Sequence, residues 1–372
     1  MSSPIRISII GAGSAQFSLG LVKDICLTSS LAGSQICFMD LNQERLDMVH
    51  RLALRYAAET NTDLSFERTT DRRACLRDAD FVINTAYAKG HDHEWVMRDI
   101  AASHGYYYDG VQLGDYYQLK LALEIARDME EICPGAWLIQ SANPVFNCCT
   151  LVTRETNIKT IGLCHGHYGY REIAETIGID PGQVTYQAPG FNHNLWLTHF
   201  YYQGQDAYPL IDEWIETKAE EYWRTHVPEH THDCHMSRAA VHQYLMYGLF
   251  PVGDTIRRVG AGPTFGCTVY LGEWWIHTDF ETKKVWFGEP WGGPDTVQGR
   301  RWFDQMLQER IAEMTKVAAD STANVVEVFG SDRTKEQIVP IIDALVNDNE
   351  DQFQVKVPNG GTLECVPDDV VV

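Results

Sequence analysis

The sequence predicts an α/β fold: a doubly wound parallel sheet followed by a second, mixed α+β lobe. Three observations lead there. β-Branched runs alternate with segments of helical periodicity over the first 165 residues. A glycine-rich turn joins the first run to the first helical segment. Beyond about residue 170 the alternation loosens into an aromatic-rich stretch holding Trp196, Trp214, Trp223, Trp274, Trp275, Trp286 and Trp291. At 372 residues with 44% apolar content, the chain can fill the cores of two lobes.

Element by element, Ile5 to Ile10 is a β-branched run that ends in Gly11-Ala12-Gly13-Ser14-Ala15-Gln16. Leu19, Val22, Ile25 and Cys26 then stand at helical spacing over residues 17 to 29. Gln35 to Met39 reads as a second strand ending at Asp40, and residues 43 to 59 as a helix with Leu46, Val49, Leu52 and Leu54 as apolar positions. Asp80 to Thr85 is a strand followed by a polar and aromatic loop, and Leu119 to Ile132 is a strong helix. Trp137 to Gln140 delivers Asn143-Pro144 at its carboxyl end, and Thr160 to Leu163 delivers Cys164. Parallel sheets of this kind gather ligands at those carboxyl ends. Thr362 to Val372 reads as a turn and a strand. The expected division is a nucleotide-binding domain over residues 1–165 and a substrate- and metal-binding domain over 166–372.

Charge and composition narrow the function classes. The 30 basic against 51 acidic residues give a net charge of −21, which opposes nucleic acid and anionic membrane as partners. An anionic substrate would need a local cationic pocket. No stretch approaches the ~18 apolar residues of a membrane span, and the N-terminus enters a strand without a charged leader, so a cytoplasmic protein is expected. Ten cysteines scattered through a long periodic chain favour reduced thiols, with adjacent Cys148 and Cys149 as core residues.

The Gly11-x-Gly13 turn lets backbone approach a pyrophosphate and aims a helix N-terminus at it. Asp40 can accept hydrogen bonds from ribose hydroxyls and would repel a 2′-phosphate, which favours NAD over NADP. Gln16 stands where a third glycine is usual. Without a ligand the same pattern is only a tight βα turn. Cys164 and His193 together suit zinc, iron, cobalt, nickel or manganese; singly, they read as a packed thiol and a satisfied imidazole. Asn143-Pro144 either starts a turn or holds a substrate hydroxyl. The segment Pro251 to Arg258 is either a solvated charge cluster or a general base, Asp254, beside arginines that can clamp a carboxylate. Asp109, within Tyr106-Tyr107-Tyr108-Asp109-Gly110, is a turn acid or a catalytic one. The run His230-Thr231-His232-Asp233-Cys234-His235 reads as an exposed loop.

Taken together, Ile9 to Ser14, Asn84-Thr85-Ala86, Ala142-Asn143-Pro144, Gly162 to Gly166 and Gly190 to His193 resemble the NAD- and metal-dependent glycosidases of glycoside hydrolase family 4, which are similar in fold to lactate and malate dehydrogenases. The resemblance covers essentially the whole chain. Ser141 to Phe146, Asp206 to Leu210 and Pro251 to Thr255 look most like the α-glucuronidase branch. Members of this family depart from the two-carboxylate scheme of most glycosidases. The resemblance implies that hydride leaves the sugar's C3 for NAD, that the C2 proton, now acidic, is removed, and that the C1 oxygen departs by elimination. Water then adds and the hydride returns, so net redox is zero.

By motif position, the resemblance implies cofactor contacts at Gly11, Gly13, Ser14, Asp40 and Asn84, and a divalent metal, manganese foremost, on Cys164 and His193. It implies substrate contacts at Asn143, Asn192, Arg257 and Arg258, a C2 base at Asp254 and an acid at Asp109, with Tyr244 and Tyr247 as the alternative base positions. It also implies a homo-oligomer, dimer or tetramer, and relatives that continue past the point where this chain ends. Within the family, α-galacturonidase and α-glucosidase are the alternatives to an α-glucuronidase. Outside it stand an NAD-dependent dehydrogenase of a hydroxy acid or sugar and a catalytically silent NAD-binding protein.

Overall fold

The computed structural model describes residues 4–15, 17–104, 115–164, 166, 169–192, 194–227, 235–253, 255–258, 280–288 and 297–372, with backbone alone at 115, 257, 258, 280, 282 and 283. The chain divides into two compact units. The first comprises Met1–His104, Leu113–Leu163 and Asp304–Val371, and the second is built on Cys164–Phe303. Residues 304–371 therefore group with the N-terminal sheet, whereas a single cut after residue 165 assigns them to the other lobe.

In the first unit, β1 (Arg6–Ile10), α1 (Ser18–Cys26), β2 (Gln35–Met39), α2 (Gln43–Glu59), β3 (Ser65–Thr69), α3 (Arg72–Leu76) and β4 (Phe81–Asn84) follow in order. Then come α4 (Gly90–Ser103), α5 (Asp115–Ile132), β5 (Trp137–Gln140), α6 (Val145–Glu155) and β6 (Lys159–Gly162). The six strands form one parallel sheet in the order β3-β2-β1-β4-β5-β6, the doubly wound Rossmann-like arrangement. Ile7 to Ile10 are all buried, as a central strand covered on both faces requires. The one polar residue in that run, Ser8, donates its hydroxyl to the Cys75 carbonyl at 2.6 Å. On α5, Ala122, Ile125, Ala126 and Met129 recur at helical spacing and pack with Val82 and Leu138 of the sheet. Strand β3 carries no apolar run: only Phe66 is buried, because the strand lies at the sheet edge.

The second unit holds α7 (Gly169–Ile177), β7 (Val184–Gln187), β8 (Gly190–Phe191), β9 (Asn194–Leu197), β10 (His199–Tyr202) and β11 (Gln205–Asp206). It continues with α8 (Tyr208–Thr217), α9 (Ala219–Thr225), α10 (Arg238–Tyr247), β12 (Phe250–Val252), α11 (Thr255–Arg258) and α12 (Phe280–Phe287). Two antiparallel sheets, β11-β10-β7 and β12-β9-β8, share one core with the helices around Leu197, Phe200, Trp214 and Phe250. The aromatic surplus of this stretch thus supplies the bulk of a small core.

Helix α13 (Val297–Ala319) leads to α14 (Val325–Phe329) and α15 (Ile338–Asn347), which return to the first unit. Lys356 exchanges both backbone hydrogen bonds with Gly162, at 2.9 and 2.8 Å, and Val371 is fully buried against Val145 and Cys149. Val371 makes a single antiparallel bridge with Pro358, so the expected terminal strand is an isolated bridge. The eight described cysteines form no disulfide, and Cys148 and Cys149 are fully buried. Among the described residues no helix is long and apolar enough to cross a membrane.

Candidate functional site

In the first unit, β1, β2, β4 and β5 deliver the predicted residues at their carboxyl ends. Gly11 has φ +86°, and an added Cβ would lie 2.5 Å from the Ala86 backbone, so only glycine turns the chain there. The Gly11 and Ala12 amides donate to the Met39 carbonyl at 2.8 and 3.0 Å, and the Thr85 hydroxyl donates to the carbonyls of Ile10 and Gly11 at 3.2 and 3.1 Å. A Cβ at Gly13 would stand 2.8 Å from the Asp40 carboxylate, which accepts the Gly13 amide at 2.8 Å through Oδ2 and the Asn42 amide at 2.8 Å through Oδ1. The Ser14 hydroxyl accepts the Phe17 amide at 3.4 Å, ahead of α1. A strand, a turn with no Cβ at two positions, an acid at the next strand end and a helix N-terminus together fit a dinucleotide.

Asn84, expected among the cofactor contacts, ends β4. It is fully buried; its amide donates to Gln140 Oε1 at 2.8 Å and accepts the Ala86 amide at 3.1 Å. It shapes the loop after β4 from inside. Gln140 donates onward to the Ala142 carbonyl at 2.7 Å, and buried Gln118 donates to the Ala86 carbonyl and accepts the Ala88 amide, both at 2.9 Å. These two glutamines were missed by the sequence reading. The available signal was a polar residue on an apolar stripe: Gln118 continues the Ala122, Ile125, Met129 face of α5. Asn143 is exposed beyond β5, joined by a cis peptide bond to buried Pro144.

In the second unit, three segments meet. Gly253 has φ +62°, and an added Cβ would lie 2.9 Å from the Gly166 Cα, so the chain after Cys164 passes directly against the turn after β12. Strand β12 pairs with β9, Val252 opposite Leu195, and the Leu195 amide donates to the buried Thr255 hydroxyl at 2.7 Å. The β8–β9 hairpin carries Asn192, 8% exposed, at its tip. Described neighbours of Cys164, His193 and Asp254 are therefore assembled together. Cys164 itself is half-buried. His193, Asp254 and Asp109 lie outside the described residues, as do the side chains of Arg257 and Arg258 on α11. Among the described residues no group of three or more His, Cys, Asp or Glu forms a metal cage. The thiol and imidazole of the motif are a donor set suited to a borderline divalent ion.

Tyr244 donates to Asp212 Oδ1 at 2.7 Å, and burial first, then that carboxylate, pushes its phenol well up; a phenol held this way is a poor base at neutral pH. Tyr247 is exposed and packs edge-on against Trp196 at 5.2 Å. His235, expected in an exposed loop, is 2% exposed and bonded to Glu172 of α7.

Fold and site define a class: a Rossmann-like α/β protein with a dinucleotide turn in one unit and a thiol-bearing segment packed against a glycine turn in the other. Residues 6–179 match the Family 4 glycosyl hydrolase model and residues 188–372 the Family 4 glycosyl hydrolase C-terminal domain model; the chain belongs to that family. It is similar to an alpha-galactosidase of Bacillus subtilis (strain 168), 31% identical over 219 residues, 55% of this chain and 50% of that protein. The chain thus spans about half the length of the first such curated relatives. An alpha-galacturonidase of Thermoanaerobacterium saccharolyticum (strain DSM 8691 / JW/SL-YS485) is 24% identical over 99% of this chain and 79% of its own. In fold the chain is similar to a 6-phospho-alpha-glucosidase from gut microorganisms, solved in complex with NAD and Mn2+, with a TM-score of 0.71 at 17% identity, covering 99% of this chain and 81% of that one.

Proposed function

We propose that this protein is an NAD- and divalent-metal-dependent α-glycosidase whose substrates are α-linked uronides, α-glucuronides foremost. The observation that carries the reading is the match of both halves of the chain to the two family models. The relative aligned over 99% of the chain, named alpha-galacturonidase, supports the uronide class. The similar fold solved with NAD and Mn2+ supports the cofactor pair.

When bound, NAD supplies a reversible hydride store for the sugar's C3, and the divalent ion supplies a Lewis acid for the C2 and C3 oxygens. The protein's own residues do the rest. Gly11 and Gly13 open the turn to a pyrophosphate, and Ser14 leads into the helix that follows it. Asp40 uses one lone pair of each oxygen on the Gly13 and Asn42 amides, which leaves others for ribose hydroxyls. Cys164 and His193 would hold the ion, while Asn143 and Asn192 would hold sugar hydroxyls. Asp254 takes the C2 proton, and Asp109 gives a proton to the departing C1 oxygen. Arg257 or Arg258 pairs with the C6 carboxylate.

The test uses 4-nitrophenyl α-glucuronide, α-galacturonide and α-glucoside with NAD and Mn2+. Nitrophenolate is expected to accumulate with no net reduced nicotinamide, and chelation is expected to abolish turnover. Stoichiometric NADH would make the protein a dehydrogenase instead. Full uronide activity in both Arg257→Ala and Arg258→Ala would remove the clamp assignment.

A further inference from the structure

Buried His235 and its half-buried partner Glu172 belong to no role described above, yet the pair reaches the turn that precedes Asp254. His235 Nε2 lies 2.8 Å from the Gly253 nitrogen and accepts its N–H. A ring nitrogen that accepts an N–H carries no proton, so the ring proton sits on Nδ1, which donates to Glu172 Oε2. Glu172 Oε1 also accepts the His235 backbone N–H at 3.2 Å, so one carboxylate fixes both the ring and its backbone. The ring lies close against α7: a Cβ on Gly169 would lie 2.6 Å from His235 Nε2 and 2.9 Å from the Val252 Cβ. On the far side of Asp254, the Thr255 hydroxyl takes the Leu195 amide at 2.7 Å. The residues on both sides of Asp254 are thus pinned by buried side chains, one of them through a histidine of defined tautomer.

We propose that Glu172 and His235 are positioning residues for Asp254: the carboxylate sets the tautomer of His235, and the imidazole holds the amide of Gly253, the residue bonded to Asp254. The proposal rests on the reading of Asp254 as the C2 base. It needs no bond made or broken at His235.

Three measurements on the full chain decide it. Nitrogen NMR of histidine-labelled protein, with His235 assigned by its loss in His235→Gln, is expected to show the protonated-Nδ1 tautomer; protonation at Nε2 overturns the proposal before any turnover is measured. In steady-state kinetics, His235→Leu is expected to lower kcat roughly 10- to 100-fold, the scale of a small misplacement of a reacting group. KM and NAD affinity should be nearly unchanged and the C2-deuterium isotope effect enlarged, because proton removal becomes slower relative to the other steps. His235→Gln, which keeps an acceptor for the Gly253 amide, should recover most of the rate. Equal losses in both variants with an unchanged isotope effect would reduce the pair to a structural role. If His235→Leu does not fold, Glu172→Ala gives the same reading, with a mixed tautomer and slower turnover expected. Native protein that neither exchanges nor senses deuterium at C2 would overturn the glycosidase reading itself. Native protein that exchanges C2 hydrogen no faster than His235→Leu would overturn only this inference.

Discussion

At the scale of single residues, the site depends on atoms that are missing as much as on atoms present. Gly11→Ala places a Cβ into the Ala86 backbone at 2.5 Å from a left-handed residue, and backbone cannot yield as a side-chain tip can. We expect a loss of about 2 kcal/mol or more in denaturant unfolding. Asp40→Ala should cost about 1–2 kcal/mol, because it strips the buried Gly13 amide of its acceptor, and should also weaken NAD binding measured by calorimetry. Both glycines and Asp40 were legible in the sequence, since a tight βα turn and the strand that follows it are local. Asn84 was not. A polar residue at the end of a strand looks the same whether it meets a ligand or an amide partner on the next strand, and Gln140 lies 56 positions away.

At the scale of elements, periodicity located the strands and helices whose neighbours are sequential. Helix α2 and strands β2 and β5 run over the predicted residues, because their apolar spacing and the Asn42 cap are written in the local sequence. Strand β3 escaped because an edge strand needs little apolar content. Helix α5 does more than cover the sheet, since its Gln118 clamps the loop after β4. Gln118→Leu would leave the half-buried Ala88 amide and Ala86 carbonyl without this partner. It should therefore cost about 1–3 kcal/mol in thermal unfolding and loosen NAD with it.

At the scale of the molecule, the stretch 304–371 is bound to the N-terminal sheet unit by polar contacts that no local pattern announces. Arg55 of α2 donates to the carbonyls of Val317 and Asp320, at 2.7 and 3.0 Å, and to that of Ala323, covering the C-terminal end of α13. The Tyr56 hydroxyl donates to the Gly330 carbonyl at 2.8 Å. Asp24 of α1, 2% exposed, accepts the Thr334 amide at 2.6 Å and bonds its hydroxyl. Burial raises the Asp24 carboxyl above its ordinary value, with the Thr334 bonds opposing. The folded state then binds this proton more tightly than the unfolded chain does. Its contribution is complete at low pH and declines as pH rises through the raised value. Asp24→Asn keeps an acceptor for the Thr334 amide and removes the charge. Its melting temperature should match or exceed that of the native protein at neutral pH, and the difference should shrink on acidification. A variant that melts lower at every pH would show that the carboxylate itself, not its shape, joins α1 to the returning chain.

The amino-acid order alone determined the parallel sheet, the glycine turn with its acid, and the family signatures around Cys164 and His193. Each of these is carried by residues close in sequence, where turn chemistry and the two periodicities of strand and helix act directly. Only the tertiary structure decided that Gly253 lies on Gly166, that His235 is buried on Glu172, that Asn84 faces inward, and that the last seventy or so residues return to the first sheet. Those outcomes join positions dozens to hundreds apart. They follow from which surfaces exclude water together, a property that no single segment carries by itself.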